Sequence, residues 1–142
     1  MPIQTRDATD RDAEAIAALL GQLGYPTTPQ DVIRRMSRTA SELGQRVLVA
    51  ELDGEVVGVA SLYVRHLLTL DAPLARLASM VVGEGRRSQG IGERLVLAAE
   101  AIAREAGCDR MEVTSNEKRT RAHAFYRRLG YEERPKRFIK PL

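Results

Sequence analysis

A strand, a glycine-rich loop and a helix follow one another without interruption between residues 74 and 107, and this succession constrains the chain more than any other feature. Residues 74–82 form an apolar strand that ends in the unbroken triplet Met80-Val81-Val82. Gly83-Glu84-Gly85-Arg86-Arg87-Ser88-Gln89-Gly90 comes next. Ile91, Leu95, Ala98, Ala99, Ile102 and Ala106 then recur on one face at helical spacing, until Gly107 ends the helix.

 Each of these elements has one face to bury, so the unit calls for a sheet with a helix laid against it.

The remaining elements are punctuated locally. Residues 3–6 read as a first strand. Thr9 and Asp12 have the form of a capping box, and Ala13, Ile16, Ala17, Leu20 and Leu23 recur at helical spacing as far as Gly24. A second helix starts at Thr28-Pro29-Gln30-Asp31, where a cap residue, a proline at the first helical position and an acid coincide, and Val32, Ile33 and Met36 form its apolar side. Residues 46–52 and 55–64 flank Asp53-Gly54, a hairpin signal because both turn positions tolerate positive φ. Residues 111–114 read as a strand, 120–129 as a helix closed by Gly130, and Phe138-Ile139 as part of a final short strand. The order β-α-α-β-β-β-α-β-α-β predicts an α/β fold, one sheet with helices on both faces, in a single domain spanning residues 1–142.

Composition narrows the function classes. The chain has 142 residues, 44% hydrophobic and 29% charged, as a folded domain of this size should. No apolar run approaches the ~18 residues of a membrane span, and the first residues lack the pattern of a signal peptide, so a cytoplasmic location is expected. Cys108 stands alone, which suits a reducing compartment, and it reads as a small buried hydrophobe. The net charge of +3 is unevenly spread: residues 1–85 carry 8 basic and 11 acidic side chains, residues 86–142 carry 14 and 8. The second half should therefore meet an anionic partner. Nucleic acid is disfavoured, because the six aromatics are scattered and no RNP-like, zinc-finger or zipper pattern accompanies the charge. His66, Cys108 and His123 show no metal-ligand spacing, and no Gly-x-Ser-x-Gly elbow exists.

The loop at 83–92 carries the chemistry. A strand end, a glycine loop and a helix start together make an anion site, since the first helical N–H groups lack partners and the helix dipole favours negative charge there. Gly90 and Gly92 would let phosphate oxygens approach the backbone, with Arg86 and Arg87 adding charge. Neither the dinucleotide fingerprint nor a P-loop fits: the third glycine of the first and the Gly-Lys-Ser/Thr of the second are missing. Taken alone, the glycines fit a tight turn as well as an anion cradle.

Arg87-x-x-Gly90-x-Gly92 is followed about 30 residues later by Ala122-His123-Ala124-Phe125-Tyr126-Arg127-Arg128-Leu129-Gly130-Tyr131. This pair resembles the GNAT family of N-acetyltransferases, whose signatures are Gln/Arg-x-x-Gly-x-Gly/Ala and Ala-x-x-Phe-Tyr-x-x-x-Gly-Phe/Tyr. The resemblance extends over the element order of almost the whole chain. It implies a mixed, mainly antiparallel sheet with a splayed strand pair that takes acetyl-CoA. The N–H groups of Arg87, Ser88, Gln89, Gly90, Ile91 and Gly92 would then hold the pyrophosphate, and Met80, Val81 and Val82 would offer backbone groups to the pantetheine arm. Phe125 belongs to the same cofactor site. Tyr126 falls where many members keep a tyrosine near the thioester sulfur, and a phenol of reference pKa ≈ 10 can protonate a departing thiolate. Asn116 or Arg119 would contact coenzyme A, Asn116 preferred.

Many members carry an acid on the strand before the loop, but residues 75–82 contain none. Deprotonation of the amine would run through water held by Ser79 and backbone carbonyls, or use His66 or Glu84. The segments around 114–126 and 137–142 resemble those of aminoalkylphosphonate-type and other small-amine N-acetyltransferases. Arg76, Lys118 and Arg119 would then attract an anionic group on the amine, or form only a solvated surface. The function implied is acetyl transfer from acetyl-CoA to a primary amine of a small molecule or a protein, by direct attack, with a non-catalytic acyl-CoA sensor as the alternative. Exposed strand edges make a homodimer the expected assembly.

Overall fold

The computed structural model describes residues 2–42, 44–114, 120–134 and 137–142. Five strands form one sheet in chain order: β1 (Gln4–Asp7), β2 (Gln45–Leu52), β3 (Glu55–Arg65), β4 (Leu74–Val82) and β5 (Met111–Val113). The first four pair antiparallel, and β5 joins β4 in parallel. The helices are α1 (Ala13–Leu23), entered through a 3₁₀ turn at Asp10–Asp12, α2 (Pro29–Ala40), α3 (Ile91–Glu105) and α4 (Thr120–Arg128). The mixed α/β architecture is the one expected.

Local chemistry explains the boundaries. The Asp53-Gly54 turn has φ of 54° and 78°, the left-handed pair that matches the twist of the flanking strands. Thr28 Oγ1 accepts from the Asp31 N–H and the Asp31 carboxylate accepts from the Thr28 N–H, both at 3.0 Å, so α2 begins on a complete capping box.

Alternation along the strands divides the core in two. Leu48, Ala60, Leu62 and Leu77 bury one face against Ile91, Leu95, Val96 and Ala99 of α3, with Phe125 and Tyr126 of α4 packed at the margin. Val49, Val59 and Val81 bury the other face against Ile16 and Leu19 of α1 and Val32 of α2. The approach of α3 to β3 is close: a Cβ on Gly58 would lie 3.0 Å from Leu95 Cδ1 and 3.1 Å from Ile91 Cγ2. Any larger residue at position 58 would push α3 away from the sheet.

Two irregularities shape the sheet. Ala50 faces Gly58 while Glu51 faces Val56, which makes Val57 the extra residue of a bulge. Its carbonyl accepts the Gly83 N–H at 2.8 Å and so fixes the start of the glycine loop. On β4, Ser61 faces Ser79 and Leu62 faces Leu77, leaving Ala78 as the extra residue.

The expected final strand is not formed. Phe138 and Ile139 are 94% and 77% exposed and lie outside any strand. Two β-forming side chains do not suffice where Pro141 lacks an N–H and charged neighbours favour solvent. Among the described residues no helix is long and apolar enough to cross a membrane.

Candidate active site

The bulge at Ala78 marks the place where the sheet opens. β4 and β5 pair only over Ala75–Leu77 and Met111–Val113, and beyond Leu77 the β5-facing edge of β4 has no strand partner among the described residues. Among the described residues, Ala78 to Val82 thus present backbone groups along an edge without a strand partner, and polar backbone needs a partner. Met80, Val81 and Val82 lie on this free stretch. The Met80 side chain turns toward α3 and the Val81 side chain toward α1, so only their main chain is available along that edge.

The loop at 83–90 leads from that edge to the start of α3. Its N-cap is Gly90, whose φ of 81° is unfavourable for a side-chain-bearing residue, and Ser88 shares the left-handed region at 68°. A glycine cap offers no side chain to the first turn. The first helix-closing bond runs from the Arg94 N–H to the Gly90 carbonyl at 3.1 Å, so the N–H groups before it point outward without a cap. Arg87, Ser88, Gln89 and Gly90 are exposed, whereas Ile91 is buried and anchors the helix. Gln22 of α1 holds the loop from the far side, accepting the Glu84 N–H at 2.9 Å.

Gly90 and Gly92 are glycines for different reasons. Nothing lies within 4 Å of a Cβ placed on Gly90, where the conformation is what selects glycine. A Cβ on Gly92 would lie 3.3 Å from Phe125 Cζ and 3.5 Å from Met80 Cε. Gly92 therefore makes room for Phe125 beside β4, a packing reason for glycine alongside the expected close approach of phosphate. Arg86 departs from expectation: its guanidinium pairs with Glu55 at 2.8 Å and is committed to β3. Arg87 has no carboxylate partner among the described residues, and Arg128, overlooked in the sequence, places its guanidinium 5.8 Å from the Phe125 ring. The i, i+3 spacing from Phe125 on one helix was the available signal.

Tyr126 is half-buried on α4, edge-on to Phe125 at 5.1 Å and to Tyr131 at 5.9 Å between ring centroids. Tyr131 donates its hydroxyl hydrogen to Glu100 Oε2 of α3 at 2.7 Å. Burial, then this bond to a carboxylate, pushes the Tyr131 pKa well above the usual phenol value. Tyr131 is thereby tied to α3. His123 lies three residues before Tyr126, also half-buried.

The three base candidates separate in space. His66 follows the end of β3, level with the start of β4, and is exposed; Glu84 lies beyond the other end of β4 and is exposed too. The length of β4, about 25 Å at strand rise, lies between them. Ser79 sits beside the bulge, half-buried, with its hydroxyl hydrogen-bonded to that of Ser61 across the strands. Asn116, Lys118 and Arg119 lie outside the described residues. Cys108, half-buried past the C-terminal end of α3, has its thiol pKa raised by burial and by Asp109. Among the described residues no group of three His, Cys, Asp or Glu side chains is placed to hold a metal ion.

The sequence profile of the acetyltransferase (GNAT) family matches residues 13–131, which include the helix start, the free strand edge and α4. The chain belongs to the GNAT family. An aminoalkylphosphonate N-acetyltransferase of Salmonella typhimurium is 33% identical over 144 residues, covering 100% of this chain and 94% of that protein. An aminoglycoside N(6')-acetyltransferase of Stenotrophomonas maltophilia is 32% identical over 132 residues, covering 90% and 85%. Among solved structures, a Bacillus halodurans protein described as a transcriptional regulator superposes with a TM-score of 0.89 at 24% identity, over 99% of this chain and 100% of that one. An aminoglycoside N-acetyltransferase in complex with CoA gives a TM-score of 0.86 at 19% identity, over 99% and 95%. Acetyl-CoA is the cosubstrate of the GNAT family. The start of α3 without a side-chain cap, and a β4 edge and an Arg87 that have no strand or carboxylate partner among the described residues, fit an extended, anionic cosubstrate.

Proposed function

We propose that this GNAT enzyme transfers the acetyl group of acetyl-CoA to a primary amine of a small molecule, within one cytoplasmic domain spanning residues 1–142. The observation that carries the reading is that β4 loses its partner immediately before an uncapped helix N-terminus. One cleft thus offers a strand edge for an amide-bearing arm and N–H groups for a pyrophosphate. In this reading Arg87, Ser88, Gln89, Gly90, Ile91 and Gly92 hold the pyrophosphate, Met80, Val81 and Val82 pair with the arm, and Phe125 shapes the cleft. Asn116 is carried over from the family resemblance as a further cosubstrate contact.

Transfer is direct. The amine nitrogen attacks the thioester carbonyl carbon, a C–N bond forms, and the C–S bond breaks. Tyr126 gives its hydroxyl proton to the departing thiolate, the surplus proton on nitrogen leaves to solvent through water held at the Ser61–Ser79 pair, and the tyrosinate takes a proton back from solvent. An acyl-enzyme on Cys108 is disfavoured, because the length of α3, about 22 Å at helical rise, separates that thiol from the first turn. Positioning and backbone donors near Val81 supply most of the rate. A homodimer would form through the free strand edge or the exposed Phe138 and Ile139.

Calorimetric titration with acetyl-CoA, paired with thiol release over a panel of amines, tests the reading. Tyr126→Phe is expected to lower kcat about 10²-fold with little change in the affinity for acetyl-CoA. Unchanged kcat would remove Tyr126 as the donor. The absence of a carboxylate from β4 favours a second reading, an acyl-CoA sensor, for which binding without turnover of any amine would be the signature.

A further inference from the structure

Beyond the Ser61–Ser79 pair, on the sheet face that carries α1 and α2, lies a second row formed by Tyr63, Arg76 and Glu112. Tyr63 and Arg76 are register partners on β3 and β4, and Arg76 and Glu112 are register partners on β4 and β5. Arg65 stands two residues farther along β3, on the same face. Its guanidinium carbon lies 4.1 Å from the Tyr63 ring centroid, and that of Arg76 lies 5.8 Å from it. Two cations therefore converge on one aromatic ring.

The charge there is only partly compensated. Arg76 Nη2 donates to Glu112 at 2.7 Å, but its buried Nε–H has no hydrogen-bond acceptor. A buried guanidinium donor without an acceptor is costly and calls for an explanation. Arg65 has no carboxylate partner among the described residues. At this end of the sheet Asp109 pairs with Arg110 and Glu42 with Gln45.

We propose that Tyr63, Arg65 and Arg76 form an anion subsite for the acceptor, so that the preferred substrate is a short amine carrying a phosphonate or carboxylate group. This inference rests on the acetyl-transfer reading above. The subsite lies about 7 Å from the Ser61–Ser79 pair, the two-residue step from Ser61 to Tyr63 along β3, and a linker of a few carbon atoms spans that distance to the cleft. A guanidinium fork donates two hydrogen bonds to a tetrahedral or planar oxyanion, and the oxyanion supplies the missing acceptor for Arg76 Nε. The same positive row repels a polycationic amine, which separates the two acceptor chemistries named for the curated relatives. The transfer itself is unchanged: the amine nitrogen gains the acetyl group and loses one proton.

The test compares kcat/KM for 2-aminoethylphosphonate, β-alanine, ethanolamine and kanamycin at saturating acetyl-CoA, with acetyl-CoA binding measured separately. The anionic amines are expected to exceed ethanolamine by tenfold or more, and Arg65→Gln, at an exposed position, should narrow that ratio by about tenfold, chiefly through KM. Arg76→Lys, which keeps the charge but loses the fork, should narrow it as well. Phosphonate against carboxylate tells which oxyanion the site takes. Acetyl-CoA binding and turnover with ethanolamine or kanamycin preferred would overturn the anion subsite and leave acetyl transfer standing. Failure to bind acetyl-CoA would overturn both.

Discussion

Arg6 and Arg76 are the same residue type on the same sheet, with side chains 37% and 32% exposed, yet they are coordinated in opposite ways. Arg6 on β1 spends all three guanidinium nitrogens: Nη1 and Nη2 donate to Asp12 at 2.8 and 2.9 Å, and Nε donates to Glu51 at 2.8 Å. Arg76 donates one bond to Glu112 and keeps a buried Nε–H without an acceptor. Burial alone therefore does not tell a structural arginine from a binding one. Saturation by neighbouring carboxylates does, because a cation already surrounded by acids has little left to offer a ligand.

The largest expected effect comes from removing the saturated arginine. Arg6→Ala leaves Asp12, only 6% exposed, with an unpaired charge, and should cost about 3 kcal/mol in urea unfolding. Arg76→Ala, whose one partner is an exposed Glu112, should cost under about 1 kcal/mol. Comparable losses would break the distinction. Acid titration sharpens it. The Asp12 pKa is held below the usual carboxylate value, chiefly by Arg6 and also by the Thr9 N–H. Its contribution is therefore present above the unfolded pKa of about 3.9 and lost as pH falls through the lower folded value. In Arg6→Ala most of that acid-side loss should disappear from unfolding curves measured below pH 4.

What the sequence made legible was set by distance along the chain. Thr9 and Asp12, Thr28 and Asp31, and Asp53-Gly54 are local signals, and the structure forms α1, α2 and the hairpin beside them. The Ala78 bulge has no local mark: it appears only once Ser61 faces Ser79 and Leu62 faces Leu77. Arg86 looked like a phosphate ligand until its partner Glu55, far away in the chain, was placed beside it. Gly92 is legible as a glycine that matters, but the packing part of its reason lies in Phe125, which arrives from α4. Phe138 and Ile139 have strand propensity without a paired neighbour, and propensity alone did not decide.

Changing the carboxylates gives a smaller effect of opposite direction in the two places. Glu112→Gln removes the one charge that compensates Arg76, so KM for an anionic amine should fall about threefold while stability changes by under about 1 kcal/mol. Glu51→Gln, beside Arg6, should lower stability by about 1 kcal/mol and leave the same KM unchanged. Steady-state kinetics and urea unfolding on both variants check this. A rise in KM on Glu112→Gln would mean that the glutamate orients Arg76 for the acceptor, and the view of Arg76 as undersaturated would fail.

Salt should produce the smallest effect. The screening length is about 10 Å at 0.1 M ionic strength and about 3 Å at 1 M, so a charge that attracts a ligand through solvent weakens as salt rises, whereas ion pairs already closed and partly buried weaken much less. At saturating acetyl-CoA, KM for 2-aminoethylphosphonate should rise about twofold to threefold between 0.05 and 0.5 M sodium chloride. Ethanolamine, which has no anionic group, serves as the control and should change little or in the opposite direction, since its ammonium form is repelled by the same arginines. The unfolding midpoint difference between the parent protein and Arg6→Ala should stay nearly constant over that range, because the Arg6–Asp12 pair is held at 2.8 Å with Asp12 buried. Equal salt dependence for both amines would place the long-range attraction elsewhere in the basic half of the chain, and Arg65 and Arg76 would lose their claim to the acceptor.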